Sequence, residues 1–71
     1  MNNLESFKAK MRREPFRAFR IEFVSGATIL IDIETEVLFP RTRPELAIAF
    51  TRDGLQHEFE QTAIARLIEA T

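Results

Sequence analysis

Phe19-Arg20-Ile21-Glu22-Phe23-Val24-Ser25-Gly26-Ala27-Thr28-Ile29-Leu30-Ile31-Asp32-Ile33 decides how this chain folds. Phe19, Ile21 and Phe23 alternate with Arg20, Glu22 and Val24, the period of two that a strand buried on one face requires. Ser25-Gly26-Ala27 then supplies a turn in which Gly26 can take the positive φ of a tight hairpin, and Ile29, Ile31 and Ile33 resume the alternation. An antiparallel hairpin is the expectation.

Upstream, the period is helical. Leu4, Phe7 and Met11 fall at i, i+3 and i+7 on one face, with Asn2 and Glu5 forming an approximate capping box. The helix is expected from about Asn3 to Arg13, because Pro15 pushes Glu14 out of the helical region. Its other face holds Lys8, Arg12 and, further round, Lys10. Downstream, Val37-Leu38-Phe39 is a short apolar run stopped by Pro40, and Pro40 and Pro44 bracket a loop with Arg41 and Arg43. Leu46, Ile48 and Phe50 mark a further strand, Arg52-Asp53-Gly54 a second hairpin turn, and Leu55, His57 and Phe59 one face of the returning strand. The tail, Thr62 to Ala70, reads either as a turn and a closing strand or as a helix capped by Thr62; the first fits better.

These elements make one α+β domain over residues 1–71: a helix at about 3–13, then a strongly bent antiparallel sheet of four or five strands at about 19–69, of which an open small barrel is one form. Ile21, Phe23, Ile29, Ile31, Leu46, Ile48, Phe50, Phe59 and Ile64 are expected in the core, with Leu4, Phe7 and Met11 from the helix.

A 71-residue chain buries only roughly 60% of the surface its unfolded form exposes, so its stability margin is thin. Disulfides cannot help, since there is no cysteine, and a metal is not expected with His57 as the only histidine and no calcium-loop spacing among the acids. Self-association is the remaining aid, a homodimer being the simplest closed form. No apolar run approaches a membrane span and no basic-then-apolar leader opens the sequence, so a cytoplasmic protein is expected. Charge is segregated: six cations against two acids in residues 1–20 leave +4, and four against nine in the remainder leave −5. The basic and acidic parts could bind separate partners, face each other in neighbouring copies, or pair within one molecule.

Catalytic chemistry finds little foothold. His57 lies mid-strand with no orienting acid nearby in sequence, and Asp32, Glu34 and Glu36 share a parity only as solvent-facing strand residues do. Gly26 and Gly54 stand alone, with no phosphate-cradling or dinucleotide fingerprint, so no cofactor is expected. An enzyme of this size would have to build its pocket at a subunit interface. Lys8, Lys10, Arg12, Arg13 and Arg17 are the candidate contacts for RNA or another anionic partner, and Phe16-Arg17-Ala18-Phe19-Arg20 interleaves aromatic and basic residues as base-stacking segments do. The plainer reading is that Phe16 anchors the helix to the sheet and Phe19 begins the core.

Pro15-Phe16-Arg17-Ala18-Phe19-Arg20-Ile21, Ser25-Gly26, Asp53-Gly54 and Ile64 with Leu67-Ile68-Glu69 together resemble the pattern of a family of short uncharacterised bacterial proteins. The resemblance runs from Leu4 to Glu69 and implies a helix followed by a Pro-Phe-x-x-Phe-x-Ile first strand and a Ser-Gly turn, with no activity attached. Ala27 departs from it, where a polar or basic residue often follows the glycine, as does the proline-bracketed loop. The element order is also similar to that of Sm-like domains, which implies ring assembly and RNA binding. The Asn-Gly turn, the aspartate-containing motif and the Lys/Arg-His ending of the RNA-binding members are absent.

Overall fold

The computed structural model describes residues 3–70, so the capping role expected of Asn2 lies outside the described residues. Helix α1 (Asn3–Arg12) is followed by β1 (Phe19–Phe23), β2 (Thr28–Ile31), β3 (Glu36–Leu38), β4 (Leu46–Phe50), β5 (Gln56–Glu60), a single 3-10 turn (Gln61–Ala63) and β6 (Ile64–Glu69). The fold is α+β as expected, but the strands form two antiparallel three-stranded sheets rather than one sheet of four or five. The first sheet has the order β2-β1-β6 and the second β3-β4-β5. The tail is the turn plus strand, not a helix.

Both hairpins close alike. In the first, Phe23 N–H donates to Ala27 C=O and Gly26 N–H to Phe23 C=O, with Gly26 at φ +94°; in the second, Thr51 N–H donates to Leu55 C=O and Gly54 N–H to Thr51 C=O, with Gly54 at φ +86°. Each is a three-residue loop whose last position is left-handed, a conformation that glycine adopts at no steric cost.

The second sheet exists because the strand expected to run through Ile33 stops at Ile31. Thr35 Oγ1 accepts from Asp32 N–H at 3.0 Å and Asp32 Oδ1 accepts from Glu34 N–H at 2.9 Å, a local turn that competes with strand pairing. Ile33 is left 80% exposed, and Asp32, Glu34 and Glu36 do not share a strand face. The turn carries the chain from β2 into β3, and so from one sheet to the other.

The core lies between the sheets and beneath α1. Phe7 is fully buried, its ring centroid 5.8 Å from that of Phe19, 5.5 Å from Phe39 and 5.9 Å from Phe59; Phe23 stands 5.0 Å from Phe59. Leu4, Ile21, Ile31 and Ile64 complete the cluster, while Met11, Phe23 and Ile29 are only half-buried against it. Phe16 packs against this core beside Phe19, which is buried, as the plainer reading of that segment holds.

Strand β4 departs from the expected core. Ala47 and Ala49 are the inward residues, completely buried, whereas Ile48 and Phe50 are half-exposed and do not pack on the core; Leu46 is buried apart from it. The reason is volume. On the central strand, Ala49 lies between Val37 and His57 and Ala47 lies opposite Phe59, and the neighbouring phenylalanine rings leave these two positions room for methyl groups only.

Phe7→Ala is therefore expected to cost about 3–5 kcal/mol, as buried Phe truncations do. Since a domain of this size holds only about 3–5 kcal/mol in total, the variant should be largely unfolded. Phe50→Ala should remain folded, with a cooperative urea transition near that of the wild type. A Phe50→Ala variant as unfolded as Phe7→Ala would overturn the inward assignment of Ala47 and Ala49.

Candidate interaction surface

Helix α1 lies along β6. Asn3 Nδ2 donates to Ile64 C=O at 2.6 Å at one end, and at the other Lys10 and Arg13 converge on Glu69, the last residue of the strand. Lys10 Nζ and Arg13 Nη1 each stand 2.7 Å from Glu69 Oε1, and Arg13 Nη2 donates to Oε2 at 3.1 Å, a two-pronged guanidinium–carboxylate pair. The Arg13 hydrogen bonds, then the Lys10 bond, hold the Glu69 carboxyl well below its usual value near 4.5, at about 2. Arg13 is raised in turn by the same hydrogen bonds.

The five cations singled out from the sequence thus divide. Lys10 and Arg13 are engaged with Glu69, and Lys10 also lies 5.8 Å over the Phe19 ring. Lys8 sits 5.1 Å over the Phe39 ring; Arg12, four residues on, and Arg17 are exposed, and none of the three makes an ion pair among the described residues. The basic and acidic segments meet within one molecule, and among the described residues Lys10 of α1 and Arg13 just past it make their ion pairs with Glu69.

Elsewhere Arg52 bridges Glu34 at 2.9 Å and Asp32 at 3.3 Å, Arg66 bridges Glu22 at 2.9 Å, and Arg43 pairs with Glu45. Arg41 and Arg43 are both exposed in their loop. His57 faces inward opposite Ala49 and is half-buried. Among the described residues no group of three or more His, Cys, Asp or Glu side chains could hold a metal ion, and no helix is long and apolar enough to cross a membrane.

Two further surfaces went unread in the sequence. On the outer face of β3-β4-β5, Leu38 stands opposite Ile48 and Ile48 opposite Glu58, while Phe50 lies between Glu36 and Gln56 and Leu46 opposite Glu60. Leu38 is 50% exposed. On the outer face of β2-β1-β6, Arg20 lies between Leu30 and Ile68, beside the Glu22–Arg66 pair. The available signal for the first was Leu46-Ala47-Ile48-Ala49-Phe50 itself, in which both parities are apolar and only side-chain size separates them. A third feature is a groove between the two sheets, where Thr28, Ile29 and Leu30 of β2 face Leu55 and His57 of the second hairpin.

Because the Glu69 pKa is depressed by the fold, its contribution to stability is complete above about 4.5 and is lost as pH falls through about 2. Glu69→Gln should lower the melting temperature at neutral pH, and its deficit against the wild type should close across that acid window. Melting curves in a pH series test this; a deficit that stays constant down to pH 2 would remove the Lys10–Glu69–Arg13 cluster as its cause.

Comparison with protein-family models, with curated proteins and with solved structures yields no match to this chain.

Proposed function

We propose that this chain is a non-enzymatic interaction module that self-associates, with a homodimer as the simplest closed assembly. The observation that carries the reading is the set of strand edges: β2 and β6 end one sheet, and β3 and β5 end the other. An unpaired edge presents backbone N–H and C=O groups that another strand can satisfy, and a domain this small gains stability by covering them. Exposed apolar side chains at Val24, Leu38 and Leu55 point the same way. If β2 and β3 are taken as two arms of one strand bent at Asp32–Thr35, the strands number five and follow the path of a small open barrel, which supports the Sm-like reading of the architecture.

Sedimentation velocity and native mass spectrometry across a wide dilution series test the proposal. An oligomer population that grows with concentration is expected. A strict monomer at the highest soluble concentration would overturn it.

A second reading, an RNA-binding module, rests on Lys8, Arg12 and Arg17, the cations that Glu69 does not neutralise. Three phosphate contacts would give log K against log salt a slope of about −2, at about 0.7 per contact on single strands. Fluorescence anisotropy with a single-stranded RNA reads that slope, and Arg12→Glu with Arg17→Glu should abolish binding while leaving the oligomer intact. No binding by the wild type at low salt removes the reading.

A further inference from the structure

The outer face of β3-β4-β5 is built unlike an ordinary solvent-facing sheet surface. A half-buried antiparallel sheet places its large apolar residues inward and its polar ones outward. Strand β4 does the reverse, with Ala47 and Ala49 inward and Ile48 and Phe50 half-exposed on the outer face, while Leu46 at its start is buried. Leu38 extends this apolar centre across to β3. Around it stand Glu36 on β3 and Glu58 and Glu60 on β5, none within ion-pair distance of a cation among the described residues; Arg43, paired with Glu45, feels the charge of Glu58 and Glu60, and the face stays net anionic.

The outer face of β2-β1-β6 carries the complementary chemistry. Its central row is Leu30–Arg20–Ile68, an exposed guanidinium flanked by two apolar side chains. Ile68 does not pack on the core, and Arg20 has no ion-pair partner among the described residues. The neighbouring Glu22–Arg66 pair cancels itself, so this face is net cationic where the other is net anionic.

We propose that these two faces bind each other between copies of this chain, the acidic-rimmed β3-β4-β5 face of one copy seating the β2-β1-β6 face of the next. The inference rests on the self-association reading and names the surfaces that accomplish it. Like-to-like docking is disfavoured on both sides. Two β3-β4-β5 faces would bring Glu36, Glu58 and Glu60 of both copies together, and two β2-β1-β6 faces would oppose Arg20 to Arg20. The unlike pairing joins apolar centre to apolar centre and sets cation against carboxylates. Such a contact is head-to-tail, so it closes into a ring or grows as an open array according to its rotation. Each face is only three short strands wide, at the small end of specific interfaces, so association should be reversible and concentration-dependent.

Charge exchange tests the proposal. Sedimentation velocity at high protein concentration should give a weight-average mass above that of the monomer, falling as salt is raised. Arg20→Glu alone and Glu58→Lys alone should each weaken association toward monomer, and the chain carrying both should associate more than either single variant, because the attraction between positions 20 and 58 is restored with its charges interchanged. Circular dichroism should show all three folded, since both positions are exposed. Ile48→Ser provides a separate readout, weakening association without altering the charge. An oligomer indifferent to Arg20→Glu, Glu58→Lys and Ile48→Ser would leave self-association standing and overturn this pairing of faces; a wild type that remains monomeric would overturn both.

Discussion

The Phe7 ring is the constraint on which the remaining architecture depends. Among the described residues it is the one side chain in aromatic contact with β1 through Phe19, with the segment after β3 through Phe39, and with β5 through Phe59. Among the described residues the two three-stranded sheets share no strand pairing, so their relative placement is set by what fills the space between them. Phe7, completely buried and in contact with three other rings, stands among the side chains that fill it. That choice commits the interior volume and passes a requirement outward: β4 must approach the rings with methyl groups, and its larger side chains must face away. The apolar outer surface of the second sheet is thus a consequence of how the core is packed.

The ends of α1 fix its direction over β6. Asn3 reaches a strand carbonyl at one end, and Lys10 and Arg13 clasp Glu69 at the other, so a helix that could slide along an apolar strip is held in register by polar contacts at both limits. Exposed ion pairs contribute little individually, but the bidentate Arg13 geometry with a second cation on the same carboxylate makes this cluster more than a chance surface contact. It also draws two cations out of any binding role, and so shapes what the basic segment can offer a partner.

Much of the fold was legible because it is encoded locally. Gly26 and Gly54 mark the two turns, Pro15 bounds the helix, and alternation around Ile21 and Phe59 assigns the inward faces correctly. What escaped was encoded by competition between alternatives. In Leu46-Ala47-Ile48-Ala49-Phe50 both faces are apolar, so periodicity gives the strand but not its orientation, and only the volume left by Phe7, Phe19 and Phe59 decides it. At Asp32–Thr35 a sequence that alternates like a strand is interrupted by side-chain hydrogen bonds to its own backbone. The basic helix could be recognised as basic, but the fate of each cation depended on where Glu69 would arrive, 59 residues beyond Lys10.

Segregated charge acquires a physical meaning once the two outer faces are set side by side. A 71-residue chain with +4 near its start and −5 thereafter could in principle neutralise itself, yet Arg12, Arg17 and Arg20 remain without ion pairs among the described residues, as do Glu36, Glu58 and Glu60. Intramolecular pairing is limited by geometry: Arg20 and Glu58 project from outer faces of different sheets, with the core between them. A fold that separates opposite charges in this way, and places apolar side chains at the centre of both surfaces, can bring them together only by using a second molecule. The same separation that denies the monomer an internal salt bridge would give the proposed assembly its direction.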